Sequence, residues 1–289
     1  MTVMKKGKKL AALLLALTLS PLFGCGRAVQ RLEQIGDRVI NRENEPHQDL
    51  ASALPLGNPS RATADAANRN NFLILRDRYA ASYNDARGTP NWVAWSVTLT
   101  DLGEALPRPD FRPDPDLPFG FRSILPTDYS GSGYDRGHMT PSADRFGNLQ
   151  RNEETFYMTN IVPQAKGLNQ FPWQKLESYT RTLVRKGYDV YVIAGVSGDK
   201  GRIKRRVTIP ASCWKILYII PRGGSLLDAG AARVIAVEMP NDDGVRNIRW
   251  VKFKTTVRAL EQKTGYDFFS ALPPAEQDRL EMNIEQLAF

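Results

Sequence analysis

The sequence predicts a mixed α+β domain with a central, mostly antiparallel β-sheet flanked by helices. Three features predict it. Short runs rich in β-branched and aromatic residues recur along the chain with turn residues between them, as in strands that fold back on their neighbours. One stretch of helical period lies in the middle of the chain and two more close it. The composition, 42% hydrophobic and 9% aromatic over 289 residues, supplies enough apolar side chain for a core behind such a sheet.

In chain order, Met1–Gly24 has a lysine-rich start and an apolar run from Leu10 to Leu22, which reads as a secretory leader. The run is shorter than the roughly 20 residues that span a bilayer. Leu22-Phe23-Gly24-Cys25 resembles the bacterial lipoprotein cleavage box, so export is expected, with the mature protein secreted, periplasmic or anchored to the cell envelope through a lipidated Cys25. Residues 25–55 are polar, show no apolar period, and read as an arm or tether. The turn signal Leu56-Gly57-Asn58-Pro59-Ser60 marks the start of the folded domain, 56–289.

Phe72–Leu75, Tyr79–Tyr83 and Trp92–Val97 read as a β-hairpin or meander, followed by the proline- and charge-rich loop Leu106–Pro118. Thr155–Val162 suits a strand and Pro163–Gln170 a loop. Pro172 fits the first turn of a helix that runs to Lys186 and stops at Gly187. That helix would have Asn169 at its entrance, and Glu177 and Arg181 four apart on one face. Tyr188–Ala194, Val207–Pro210, Trp214–Ile220, Val234–Met239 and Trp250–Thr255 continue the strands, and Val257–Thr264 and Pro274–Leu287 are the closing helices. Trp92, Trp95, Trp173, Trp214 and Trp250 are assigned to the core.

The net charge of +8 is weak evidence for a nucleic-acid partner, because Lys5, Lys6, Lys8 and Lys9 of the leader account for half of it. The basic loop Lys200–Arg206 can be read either as tracking a polyanion or as a solvated charge run. Once Cys25 is set aside, Cys213 has no disulfide partner. One cysteine and one well-placed histidine are too few ligands for an ordinary zinc site, so any metal is expected to be a hard cation such as Mg²⁺.

Chemistry concentrates in Gly131–Arg145, GSGYDRGHMTPSADR, where Asp135, Arg136, Gly137 and His138 set a carboxylate, a guanidinium, a hinge and an imidazole side by side. The other histidine, His47, lies in the polar arm. An imidazole with its usual pKa of about 6.5 serves as a base near neutrality, so activity is expected to rise through that value. Ser130, Ser132 and Ser142 raise a serine-hydrolase reading, but no G-x-S-x-G elbow is present.

The motif Asp135-Arg136-Gly137-His138, with Asn169, Glu177 and Arg181 downstream, resembles the DNA/RNA non-specific endonuclease family, a ββα-metal (His-Me finger) group. Phe111-Arg112-Pro113-Asp114, Tyr129–Tyr134, Met158-Thr159-Asn160, Pro163-Gln164 and Thr264–Phe268 extend the likeness, which runs from about Leu56 to the C-terminus. The resemblance implies a ββα-metal nuclease fold and hydrolysis of single- or double-stranded DNA and RNA to 5′-phosphorylated products. It also places Arg136, Arg181 and Arg108 on the phosphate, although the spacing from Arg108 to Phe111 is one residue shorter than the family pattern.

The residue types suit this chemistry in their own right. Phosphodiester hydrolysis needs a base for water, and His138 is the imidazole available in the domain. Asn169 offers an amide oxygen to Mg²⁺, for which Mn²⁺ is expected to substitute, and Glu177 would hold the metal's waters. Asp135 is expected to support neighbouring groups rather than react. The alternative reading is a catalytically silent, polyanion-binding surface lipoprotein of the same fold.

Overall fold

The computed structural model describes residues 50–285. The leader, Cys25 and His47 lie outside the described residues. The centre of the fold is a seven-stranded sheet in the order β1-β2-β3-β6-β9-β10-β11, antiparallel throughout. Its strands are β1 (Phe72–Arg76), β2 (Tyr79–Asn84), β3 (Thr89–Val97), β6 (Tyr188–Ser197), β9 (Ser212–Pro221), β10 (Arg233–Pro240) and β11 (Lys254–Thr255). Two short pairs stand apart: β4 (Asp135–His138) with β5 (Ile161–Gln164), and β7 (Arg202–Ile203) with β8 (Val207–Thr208).

Both faces of the sheet are covered, which is why the central strands read as nearly unbroken apolar runs. Alternation splits their side chains between two cores. Val93, Trp95, Val190, Val192, Cys213 and Leu217 face one side and pack with Trp173, Leu176 and Leu183. Trp92, Ala94, Tyr191, Ile193, Trp214 and Ile216 face the other and pack with Val257, Leu260, Phe268 and Leu280. The five tryptophans are all buried, as expected.

The second core includes Ala53, Leu54 and Leu56 behind the short helix α1 (Leu50–Ala53), and the Tyr191 hydroxyl donates to the Ala53 carbonyl at 3.1 Å. Ala53 and Leu54, at the end of the polar arm read from sequence, are therefore packed structure; two apolar residues have too little period to show this.

Other boundaries also move. Most of Thr155–Val162 is turn, with strand only from Ile161, because the Asn160 side chain ties the Thr140 and Thr155 carbonyls and so bends the chain. After the short helix α2 (Leu149–Glu154) and β5, the helical run starts at α3 (Lys166–Leu168), earlier than Pro172 suggested. It passes through a π-turn at Asn169–Trp173 into α4 (Gln174–Arg185). The wider turn accommodates Pro172, which has no N–H to give. The helix start is held from far along the chain, since Asn241 accepts from the Ala165 N–H and Asp243 from the Gly167 N–H, both at 2.7 Å.

The stop at Gly187 stands, at φ 101°. Only Lys254–Thr255 of the last strand predicted pairs with β10, while Trp250–Phe253 forms a 3₁₀ turn that sets Trp250 against Tyr179. Helix α5 (Val257–Thr264) has the predicted bounds, and α6 (Pro274–Glu281) ends earlier than predicted.

Candidate active site

β4, β5 and the helical run beginning at Lys166 form a ββα unit over one face of the main sheet. In it Gly137 pairs with Val162 and His138 with Ile161. Gly137 is a contact point rather than the hinge expected: a Cβ there would lie 2.1 Å from Gln164 Oε1, so only glycine lets the two strands close.

The His138 ring lies between Phe111 and Phe156, with centroids 5.2 and 5.0 Å away and the Phe156 ring edge-on. Its Nε2 is buried and has no hydrogen-bond partner among the described residues. Burial pushes the imidazole down to about 3, and the Arg108 charge adds to the push. A ring seated among aromatic side chains in this way is already neutral well below the 6.5 taken for it from sequence.

Phe111 is held in place by its own loop. Asp114 accepts from Arg76 Nη2 through both oxygens at 2.7 Å, and the Thr159 hydroxyl donates to Asp114 at 2.5 Å. The backbone of Arg112 exchanges hydrogen bonds with Phe156 and Met158. This pinning sets Arg108 Cζ 5.5 Å from the Phe111 ring and Arg136 Cζ 4.7 Å from it. Both guanidiniums are exposed, and among the described residues neither has a carboxylate partner. Two unneutralised, phosphate-shaped donors thus flank a neutral imidazole.

Asp135, three residues before His138 on the same strand, reaches the helical run. Its Oδ2 accepts from Asn169 Nδ2 at 2.9 Å and from Gln170 Nε2 at 2.8 Å. With its amino group engaged there, Asn169 keeps its carbonyl Oδ1 available.

Glu177 and Arg181 lie on one face of α4, as predicted, but do not pair with each other. Glu177 Oε1 is 3.4 Å from Lys215 Nζ, whereas Arg181 donates to Asp144 at 2.8 Å and to the Ser178 hydroxyl at 3.2 Å. Burial raises the Glu177 pKa, and the Lys215 charge is the largest influence opposing it.

Sequence reasoning did not assign roles to Phe111, Phe156, Gln170, Asp144 or Lys215. The one available signal was Lys215 itself, a charge in the middle of an apolar strand run. The serines of the hydrolase reading have other work: Ser142 accepts from Asn152 at 2.8 Å, and Ser132 accepts from the Tyr134 N–H at 3.2 Å. In the loop Lys200–Arg206, now the β7–β8 turn, Lys204 donates to the Thr127 carbonyl and Arg206 pairs with Asp128. Arg205 alone in that loop has no hydrogen bond or ion pair among the described residues, so most of the run fastens neighbouring loops.

Residues 57–275 match the family model for DNA/RNA non-specific endonucleases. The chain belongs to that family. The chain is 45% identical over 258 residues to a nuclease of Nostoc sp. (strain PCC 7120 / SAG 25.82 / UTEX 2576), covering 87% of this chain and 94% of the relative. It is 32% identical over 238 residues to nuclease C1 of Cunninghamella echinulata var. echinulata, covering 76% and 88%. Human mitochondrial nuclease EXOG is 31% identical over 209 residues, covering 67% of this chain and 56% of the relative. A solved EndoG/EndoGI complex superposes with a TM-score of 0.65 at 24% identity, over 80% of this chain and 95% of the other, which shows the shared ββα-metal fold. The chain is accordingly a nucleic-acid-hydrolysing enzyme of α+β fold.

Proposed function

We propose that the enzyme is a sugar-non-specific, Mg²⁺-dependent endonuclease that cuts DNA and RNA to 5′-phosphorylated products, with His138 as general base. The observation that carries the reading is the arrangement around Phe111, where an imidazole held neutral by burial lies beside two exposed arginines that have no carboxylate partner among the described residues.

The residues present fit a hard cation. Asp135 takes the Asn169 amino group and leaves Oδ1 for a metal, and Glu177 Oε2 accepts no protein hydrogen bond among the described residues. Among the described residues no three His, Cys, Asp or Glu side chains are placed to hold a metal ion together, so water and substrate phosphate would fill most of the coordination sphere. When bound, Mg²⁺ supplies Lewis-acid stabilisation of the leaving oxygen.

The chain's own side chains do the rest. The His138 imidazole removes a proton from the attacking water, a contribution of about 10²–10⁴-fold for a well-placed base. Arg136 and Arg108 hold the non-bridging phosphate oxygens through paired donors. Arg181, oriented by Asp144, adds positive charge from the helix side. Glu177 would hold the metal's waters, and Asp135 holds Asn169. Contacts of this kind engage phosphate and carry no sequence information, which supports indiscriminate cutting of single and double strands. Export through the leader, with Cys25 as the lipidation point, is part of the same proposal, and mass spectrometry of the mature N-terminus tests it.

Digestion of plasmid and RNA by the full chain tests the function. Both substrates should be cut with Mg²⁺ or Mn²⁺, protected by EDTA, and left nearly intact by His138→Ala. Intact substrates with the parent protein would instead favour the silent polyanion-binding reading.

A further inference from the structure

We propose that Lys215 is a positioning residue of this centre, which holds the Glu177 carboxylate from beneath so that its second oxygen can face the metal's waters. The inference rests on the role given to Glu177 above.

Lys215 lies in the middle of β9 and is 1% exposed. A lysine buried to this degree in an apolar strand is unfavourable unless its charge is matched. Alternation decides which way it points. Its neighbours Trp214 and Ile216 belong to the core under the C-terminal helices, so Lys215 faces the opposite side, where α4 lies. There Nζ sits 4.1 Å from the Trp173 ring centroid and 5.5 Å from that of Trp95. The rings give the ammonium a favourable electrostatic seat but take no hydrogen bond from it. Its hydrogen-bond acceptor is Glu177 Oε1, at 3.4 Å.

The charges around this pair form a closed set. Trp95 Nε1 donates to Asp144 Oδ2 at 3.1 Å, and Asp144 Oδ1 receives Arg181 at 2.8 Å. Two carboxylates and two cations therefore face one another beneath α4, and Asp144 and Arg181 already have their own partners. Glu177 alone is held by one oxygen and left open at the other. A carboxylate that fixes waters needs this division, with one oxygen anchored so that the other has a defined direction. Trp173 closes the π-turn that begins at Asn169, so the same helical segment that offers the amide oxygen also seats the lysine.

The test uses the full chain. Mn²⁺ binding is measured by electron paramagnetic resonance, the Mg²⁺ concentration for half-maximal cleavage is determined alongside it, and folding is followed by circular dichroism. In Lys215→Met the Mn²⁺ dissociation constant and the Mg²⁺ requirement should rise about 10–100-fold, as expected when support for metal-bound groups is lost. KM for DNA at saturating metal should stay within about twofold, because a sealed lysine cannot touch substrate. In a Glu177→Gln background, adding Lys215→Met should leave Mn²⁺ affinity within about threefold, since Lys215 acts through Glu177. That doubly neutral pair also has no stranded charge, so it keeps the question answerable if the single variant does not fold.

A folded Lys215→Met with parental metal requirement, or a further loss of Mn²⁺ affinity in the Glu177→Gln background, overturns the proposal. If the parent chain itself neither binds Mn²⁺ nor cleaves, the function reading fails instead.

Discussion

Asp135 Oδ2 accepts the Asn169 amide hydrogen at 2.9 Å, which links the strand that carries His138 to the helical run that carries the candidate metal ligand. The bond settles which end of the Asn169 amide faces outward. It also names the groups that Asp135, expected from sequence to support its neighbours, holds: the side-chain amides of Asn169 and Gln170.

Removing that link should loosen the metal rather than the fold. Asp135→Ala is expected to raise the Mg²⁺ concentration for half-maximal plasmid cleavage about 10–100-fold. Asp135 is only half-buried, so the melting temperature should move little. A metal titration unchanged by the substitution would show that Asn169 needs no such orientation.

The pH limb of activity should lie well below neutrality. A base must be unprotonated, and His138 is held down to about 3, so kcat/KM in the chemistry-limited regime should be flat through 6.5 and fall only in acid. Phe111→Ala admits water beside the ring and removes the seat of Arg108, so its limb should shift upward toward the ordinary imidazole value. Proton NMR of His138 in parent and variant measures the shift directly; equal titration midpoints would contradict the role of Phe111.

The same shift affects stability. Because the folded pKa lies below the unfolded 6.5, His138 contributes fully above 6.5, and the contribution is lost as pH falls toward about 3. In between, the unfolded state binds the extra proton. His138→Asn should therefore lose about 1–2 kcal/mol less than the parent between pH 7.5 and 4.5, after discounting for the ring's partial exposure. Urea unfolding at the two pH values measures it, and parallel losses would exclude His138 as a source of acid sensitivity.

The arginines should separate by their partners. Arg136→Ala removes an exposed, unpaired guanidinium, and should lower kcat/KM about 10²–10³-fold with an unchanged melting curve. Arg181→Ala strands Asp144, which is 1% exposed, and should lower activity and also destabilise the fold by about 3 kcal/mol. Thermal melts beside initial rates distinguish the two, and identical melts would show that Asp144 does not depend on Arg181.

The strands of the main sheet were legible because β-branched and aromatic runs bounded by turn residues are a local signal, and α5 was legible for the equivalent helical reason. His138, Arg136, Asn169, Glu177 and Arg181 were legible as a motif set, since their types and order persist whatever the packing. The helix start at Lys166 was hidden because its supports, Asn241 and Asp243, come from the far end of β10. What only the tertiary structure decided is how these residues are held and charged. Phe111 and Phe156 arrive from separate segments to desolvate His138, Asp135 turns Asn169, and Glu177 looks to Lys215 on a strand rather than to Arg181 on its own helix. The physical reason is the same in each case: residue type and spacing are written along the chain, whereas burial and pairing depend on which distant side chains the fold brings within a few ångströms.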